Sequence, residues 1–125
     1  MIDRLDHLVL TVADIPATCA FYAGALGMRR ETFGEGRTAL AFGRQKINLH
    51  LRGHEVEPKA EHPTPGSGDL CFIAAVPLDE VLARLRAAGL AIEQGPVART
   101  GATGPMQSVY LRDPDRNLVE ISVYD

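Results

Sequence analysis

Cysteine is scarce in this chain. Cys19 and Cys71 are the only two in 125 residues, too far apart for a spaced metal motif and too few for a secreted disulfide framework. Positive charge is not in excess either. Thirteen Lys and Arg stand against 16 Asp and Glu, a net charge of -3, and the basic residues are dispersed. Neither a nucleic acid nor a membrane surface is therefore expected as a partner. Long apolar runs are missing as well. The N-terminal stretch MIDRLDHLVLTV has acids inside its would-be apolar part, so it reads as neither a signal peptide nor a membrane span, and a cytoplasmic location is expected.

What is present suits one globular domain. The length is ordinary for a single domain, and 46% hydrophobic with 23% charged residues suffices to bury a core. Leu8, Leu10 and Val12 alternate with His7, Val9 and Thr11, the period of a strand. Asp14 stands at a helix N-cap position, and Pro16 suits the first turn. Phe21, Tyr22, Ala25 and Leu26 keep helical spacing up to Gly27, a residue able to stop the helix in a left-handed conformation. Strand-like runs follow at Arg29–Phe33, Thr38–Phe42 and Lys46–Leu51.

The same order restarts after the Pro/Gly-rich connector Pro63–Gly68. Asp69–Ala74 is strand-like. Leu78, Val81, Leu82 and Leu85 fall at i, i+3, i+4 and i+7, an amphipathic helix ended by Gly89. Strand-like runs return near Ile92, at Gln107–Arg112 and at Leu118–Tyr124, the last two joined by the turn-forming Asp113–Asn117. His7 and Gly27 map onto Asp69 and Gly89 with one offset of 62, whereas Asn48 maps onto Glu120 with an offset of 72. The second copy has gained ten residues, which the sequence places in a long Gly-rich loop, Gly95–Pro105. The expected division is module one over about 1–52, a connector over 53–68 and module two over 69–125.

A βαβββ unit used twice, with the words DHLVLTVADI and FYAGALGM near the start and YLRDPDRNLVEI at the end, resembles the vicinal oxygen chelate superfamily: glyoxalases, bleomycin-resistance proteins and extradiol dioxygenases. FGRQKINLH and GPVARTGATGP are similar to a single-domain glyoxalase-like subgroup. The resemblance implies an α+β fold in which two βαβββ modules form an incomplete, cleft-containing β-barrel with flanking helices. It also implies a divalent ion in that cleft, held from the first and last strand of each module, at positions that carry over to His7, Asn48, Asp69 and Glu120. Strand alternation supports the carry-over, since it turns His7, Asn48, His50, Asp69, Cys71, Glu120, Ser122 and Tyr124 away from the apolar, helix-covered face.

The site departs from the superfamily's usual His/Glu/His/Glu set. Asn48 is a weak neutral ligand, and Asp69 is shorter than a histidine. His50 lies on the same strand face as Asn48, so His7, His50 and Glu120 make an alternative two-His, one-carboxylate set, with Asp69 and Asn48 as further candidates. Such donors suit Fe, Mn, Ni, Co or Zn. Glu120 is the expected proton-transfer group, and Arg99, Thr100 and Tyr124 are expected to bind substrate. His54 and His62 read as solvated, and Cys71 as a small core residue.

The function implied is a metal-dependent, glyoxalase-like lyase or isomerase acting on a small oxygen-chelating substrate, in a homodimer. The alternatives are a metal-free, ligand-sequestering protein of the bleomycin-resistance kind, or a thiol transferase or dioxygenase of the same superfamily.

Overall fold

The computed structural model covers residues 1–125. The chain folds as two compact units, Met1–Ser67 and Gly68–Asp125. Each is a βαβββ unit with one open four-stranded sheet, so the α+β class and the doubled unit are as the sequence implied.

In the first unit the strands are β1 (His7–Val12), β2 (Arg29–Phe33), β3 (Arg37–Phe42) and β4 (Gln45–Leu51), in the sheet order β1-β4-β3-β2. A helix, α1 (Ile15–Cys19), follows β1. Asp14 caps it by accepting a hydrogen bond from the Ala17 N–H at 3.0 Å, which satisfies an otherwise orphan donor of the first turn. The helix widens into a π-helical segment over Ala20–Ala25, and Gly27 (φ 83°) ends it in the left-handed region. Leu10, Val12, Leu40, Ile47 and Leu49 are buried on one face of the sheet, and Thr18, Cys19, Phe21 and Tyr22 are the buried side chains of the helical segment. The apolar alternation thus does what period 2 demands, leaving the other face to polar residues.

In the second unit β5 (Asp69–Ile73) is followed by the helix α2 (Leu78–Ala87), then β6 (Gln94–Gly101), β7 (Gly104–Arg112) and β8 (Leu118–Tyr124), in the sheet order β5-β8-β7-β6. Val109, Leu111, Val119 and Ile121 form the buried sheet face, and Val81 and Leu85 are the buried residues of α2. The ten extra residues of this copy are not one loop. About half of them lengthen the β6–β7 hairpin, which runs over 94–112 against 29–42 for β2–β3, and the rest lie in the link before β6 and in the turn before β8; the Arg99–Met106, Thr100–Pro105 and Gly101–Gly104 pairs continue the ladder almost to the tip. Glycines and prolines read as loop signals, but cross-strand pairing satisfies the backbone here and wins. The strand expected near Ile92 accordingly begins at Gln94.

The turn Asp113–Asn117 is a hydrogen-bonded clamp. Asp113 Oδ1 accepts from the N–H groups of Asp115 and Asn117, both at 2.9 Å, and Oδ2 accepts from Asn117 Nδ2 at 2.8 Å. Asn117 Oδ1 in turn accepts from the Gly68 N–H at 2.7 Å. The clamp therefore fixes the start of β5 beside the start of β8. No helix of the chain is long and apolar enough to cross a membrane.

Candidate functional site

Each unit presents a polar sheet face, and register decides which residues meet on it. In the first unit β1 runs parallel to β4, with His7 opposite Lys46, Val9 opposite Asn48 and Thr11 opposite His50. In the second, β5 runs parallel to β8, with Asp69 opposite Leu118 and Cys71 opposite Glu120. The pairs His7/Asn48 and Asp69/Glu120 are thus the same diagonal neighbours in their respective sheets.

His7 is oriented by a neighbouring carboxylate. Its Nδ1 is 2.8 Å from Asp6 Oδ1, with 44% of its side chain exposed. A carboxylate on one ring nitrogen fixes the tautomer and orients the other nitrogen outward, as in carboxylate–histidine–metal arrangements. The same hydrogen bond holds the Asp6 carboxyl below its usual range. Asn48 is 5% exposed, and its buried Oδ1 has no hydrogen-bond partner, a costly state for a carbonyl oxygen unless something else meets it.

His50 is also 5% exposed, but it belongs to a different neighbourhood. It is level with Thr11, four residues along the strand from His7, or about 13 Å at the strand rise. Ring nitrogens must come within about 2.1 Å of a shared ion, so the sheet brings His7 together with Asn48 and not with His50. The partner of His50 is Arg37, whose Nη2 lies 3.5 Å from Nε2. Burial, and then the Arg37 cation, push the His50 pKa down. The Arg37 guanidinium and the Lys46 ammonium both lie over the Phe33 ring, at 4.7 and 3.8 Å from its centre.

In the second unit Glu120 is held by a relay absent from the sequence reading. Tyr110, directly opposite on β7, donates its hydroxyl to Glu120 Oε1 at 2.8 Å, and Arg99 Nε donates to the same hydroxyl oxygen at 2.9 Å. Burial and the bond to Glu120 raise the Tyr110 pKa, so the phenol keeps its proton and remains a donor. Arg99 is therefore on the Glu120 face, but as part of strand β6, and Thr100 follows it onto the opposite face.

Tyr124 shares the Glu120 face, yet its hydroxyl is spent on the hairpin tip. It accepts from the Thr103 N–H at 3.3 Å, and its ring fills the space above Gly101, where an added Cβ would meet Tyr124 Oη at 2.5 Å. Asp69 is exposed at the start of β5. Cys71, expected in the core, is exposed on this polar face, and its Sγ is 3.3 Å from Ser122 Oγ. Its thiol is pushed up by burial of the sulfur, the reverse of an activated nucleophile.

No three His, Cys, Asp or Glu side chains stand close enough together to form a metal group. Each unit nevertheless offers donors of a kind that a divalent cation accepts: in the first, an oriented imidazole and a buried unpartnered carbonyl oxygen; in the second, a carboxylate with one oxygen already held. Tyr110 and Asp6 were the missed contributors. Alternation in β7 did put Tyr110 on the polar face, but only the register reveals that it stands opposite Glu120.

Comparison with known proteins agrees with this architecture. The chain is 57% identical over 124 residues to Virulence protein STM3117 of Salmonella typhimurium, covering 99% of this chain and 86% of that one. The crystal structure of the Salmonella protein matches with a TM-score of 0.98, over 100% of this chain and 99% of that chain. Identity to Glyoxalase domain-containing protein RDO1 of Mycosarcoma maydis is 52% over 120 residues, 96% of this chain and 68% of that protein. Lactoylglutathione lyase of Agrobacterium tumefaciens matches at a TM-score of 0.75 and 25% identity, over 98% of this chain and 95% of that one. The family description Glyoxalase/Bleomycin resistance protein/Dioxygenase superfamily matches residues 4–121. Because that match runs through both βαβββ units, the chain belongs to the glyoxalase/bleomycin resistance protein/dioxygenase superfamily.

Proposed function

We propose that this chain is a metal-dependent, glyoxalase-like enzyme of the lyase or isomerase type, acting in the cytoplasm on a small molecule with neighbouring oxygens. The observation that carries the reading is the preparation of two donors in advance. His7 is oriented through Nδ1 by Asp6, and Glu120 is held through Oε1 by Tyr110. Supporting shells of this kind characterise metal ligands, and the superfamily typically binds a metal. The proposed ligands are His7 and Glu120, with Asn48 and Asp69 completing the set. His50 is not among them, because its register sets it apart from His7.

A bound divalent ion supplies Lewis acidity to a substrate carbonyl or hydroxyl oxygen. The remaining chemistry is the protein's own. Tyr110 fixes the Glu120 carboxylate by Oε1 and leaves Oε2 either to hold the ion or, when it is not so engaged, to take and return a proton. Arg99, with Nε on Tyr110 and Nη1 on the Ala98 carbonyl, keeps Nη2 for an anionic group of the substrate.

Elemental analysis tests the proposal. The expected result is about one divalent ion per chain, lost in His7→Ala and in Glu120→Ala. Protein that takes up no stoichiometric ion on reconstitution refutes it. A second reading, a metal-free protein that sequesters a ligand, draws on Asn48, a weak neutral donor where the superfamily's usual set has a carboxylate. It is supported if the metal-free protein binds an aromatic or antibiotic ligand tightly and turns over no hemithioacetal, epoxide with thiol, 2-oxo acid or catechol.

A further inference from the structure

Within the first unit lies a cavity of about 360 Å³ that the proposed reaction does not use. It sits between the edge strand β1 and the segment Pro58–Ser67, and His50 lines it from β4. We propose that this cavity is a binding site for a small organic anion, a carboxylate with a short apolar chain.

The polar part of the lining favours an anion. His50, Lys59, Thr11 and Thr64 contribute polar side chains, and no Asp or Glu is among the lining residues. His50 is 5% exposed. Arg37 has only donors to offer, so its contact with Nε2 makes that nitrogen an acceptor and places the His50 proton on Nδ1. His50 is thereby fixed as a donor toward whatever shares its remaining side. The edge of β1 adds to this. Lys46 N–H bonds to the Asp6 carbonyl and Arg52 N–H to the Val12 carbonyl. The parallel ladder therefore turns the even-numbered residues of β1 toward β4, and the N–H groups of Val9 and Thr11 point outward along the edge that the cavity follows.

The apolar part of the lining sets the rest of the ligand. Val9, Pro58 and Pro63 face the same space, and Val9 is 43% exposed, an apolar side chain without cover. A volume of about 360 Å³ is at the small end of ligand pockets, which run from roughly 300 Å³ upward. Lys59 is paired with Glu57 at 2.6 Å, so it offers a partly compensated charge suited to a monoanion.

Imidazole NMR on the full chain tests the site, with His50, His62 and His7 assigned by single substitutions. Sodium butyrate is the probe, with butan-1-ol and inorganic phosphate as comparisons. The expected result is a saturable shift of the His50 and His62 signals with butyrate, no saturable shift with butanol, and butyrate binding about tenfold weaker in Lys59→Ala, as for loss of a charge-assisted contact. Lys59 is on the surface segment, so this variant is expected to fold; Thr64→Ala provides a second. The inference is overturned if butyrate gives no saturable shift at His50, or if its affinity is unchanged in both variants. Phosphate binding as tightly as butyrate overturns it too, because the apolar walls would then contribute nothing.

Discussion

At the residue scale, single hydrogen bonds decide what each charged group can do. Tyr110 touches Glu120 directly and is itself steadied by Arg99, which makes it a positioning residue for the proposed ligand. Tyr110→Phe keeps the ring and removes only the hydroxyl. It should weaken metal binding by about 10–100-fold, the usual cost of losing a supporting hydrogen bond behind a ligand, while thermal stability of the metal-free protein changes little. Metal affinity by competition with a chelating dye is the measurement; an unchanged affinity would show the hydroxyl to be incidental.

His50 gives a pH prediction of definite sign. Its pKa lies below the ordinary 6.5 because the ring is buried and Arg37 is adjacent. Between the two values the unfolded chain takes up a proton that the folded chain refuses, so stability is full above about 6.5 and declines as pH falls below it. An NMR titration should place the His50 midpoint below 6.5, and Arg37→Gln should move it upward. A midpoint at or above 6.5 would contradict the geometry. The fractional burial of His50 was invisible in the sequence, where it read as a possible second imidazole ligand; the strand pattern gives a residue's face but not its distance from a residue on another strand.

At the element scale, the sequence identified the strands and helices through period and punctuation and failed where pairing overrode local chemistry. β8 was legible residue for residue, and Asp14 was legible as an N-cap. The hairpin β6–β7 was not, because Gly95, Pro96, Gly101, Gly104 and Pro105 all read as loop. Its ladder exists because β7 is already pinned to β8 and offers β6 a row of backbone partners.

The Asp113–Asn117 turn was read as a turn, but its clamp on Gly68 required the fold. Asp113→Ala should destabilise the protein by about 3 kcal/mol, since it leaves buried donors of Asn117 unpaired. Denaturant unfolding measures the loss, and a change within the ±0.5 kcal/mol of an ordinary surface substitution would rule the clamp out as a stabilising feature.

At the scale of the whole molecule, the exposed apolar residues are informative. Ile73, 52% exposed, sits on the polar face of the second sheet, and Ile2 and Leu5 are open at the N-terminus. Covering such side chains favours association, and β1, β2, β5 and β6 are the edge strands of their sheets, which lend themselves to further pairing. A homodimer is therefore expected in solution. Sedimentation at micromolar concentration should give about twice the 13.5 kDa chain mass, and Leu5→Lys with Ile73→Lys should shift it toward the monomer; a wild-type protein that sediments only as monomer excludes the dimer.

The sequence by itself determined the repeated unit, the class of fold, and which face of each strand carries the polar residues. All three follow from periodicity, which is a property of neighbours along one chain. The offsets of 62 and 72 even anticipated that His7/Asn48 and Asp69/Glu120 are equivalent pairs, and the parallel registers reproduce them. Only the tertiary structure decided that Tyr110 stands opposite Glu120, that His50 belongs with Arg37 and the cavity beside β1, and that Tyr124 closes the hairpin over Gly101. Those outcomes depend on cross-strand register and on side-chain reach of a few ångströms, quantities set by packing between segments far apart in sequence.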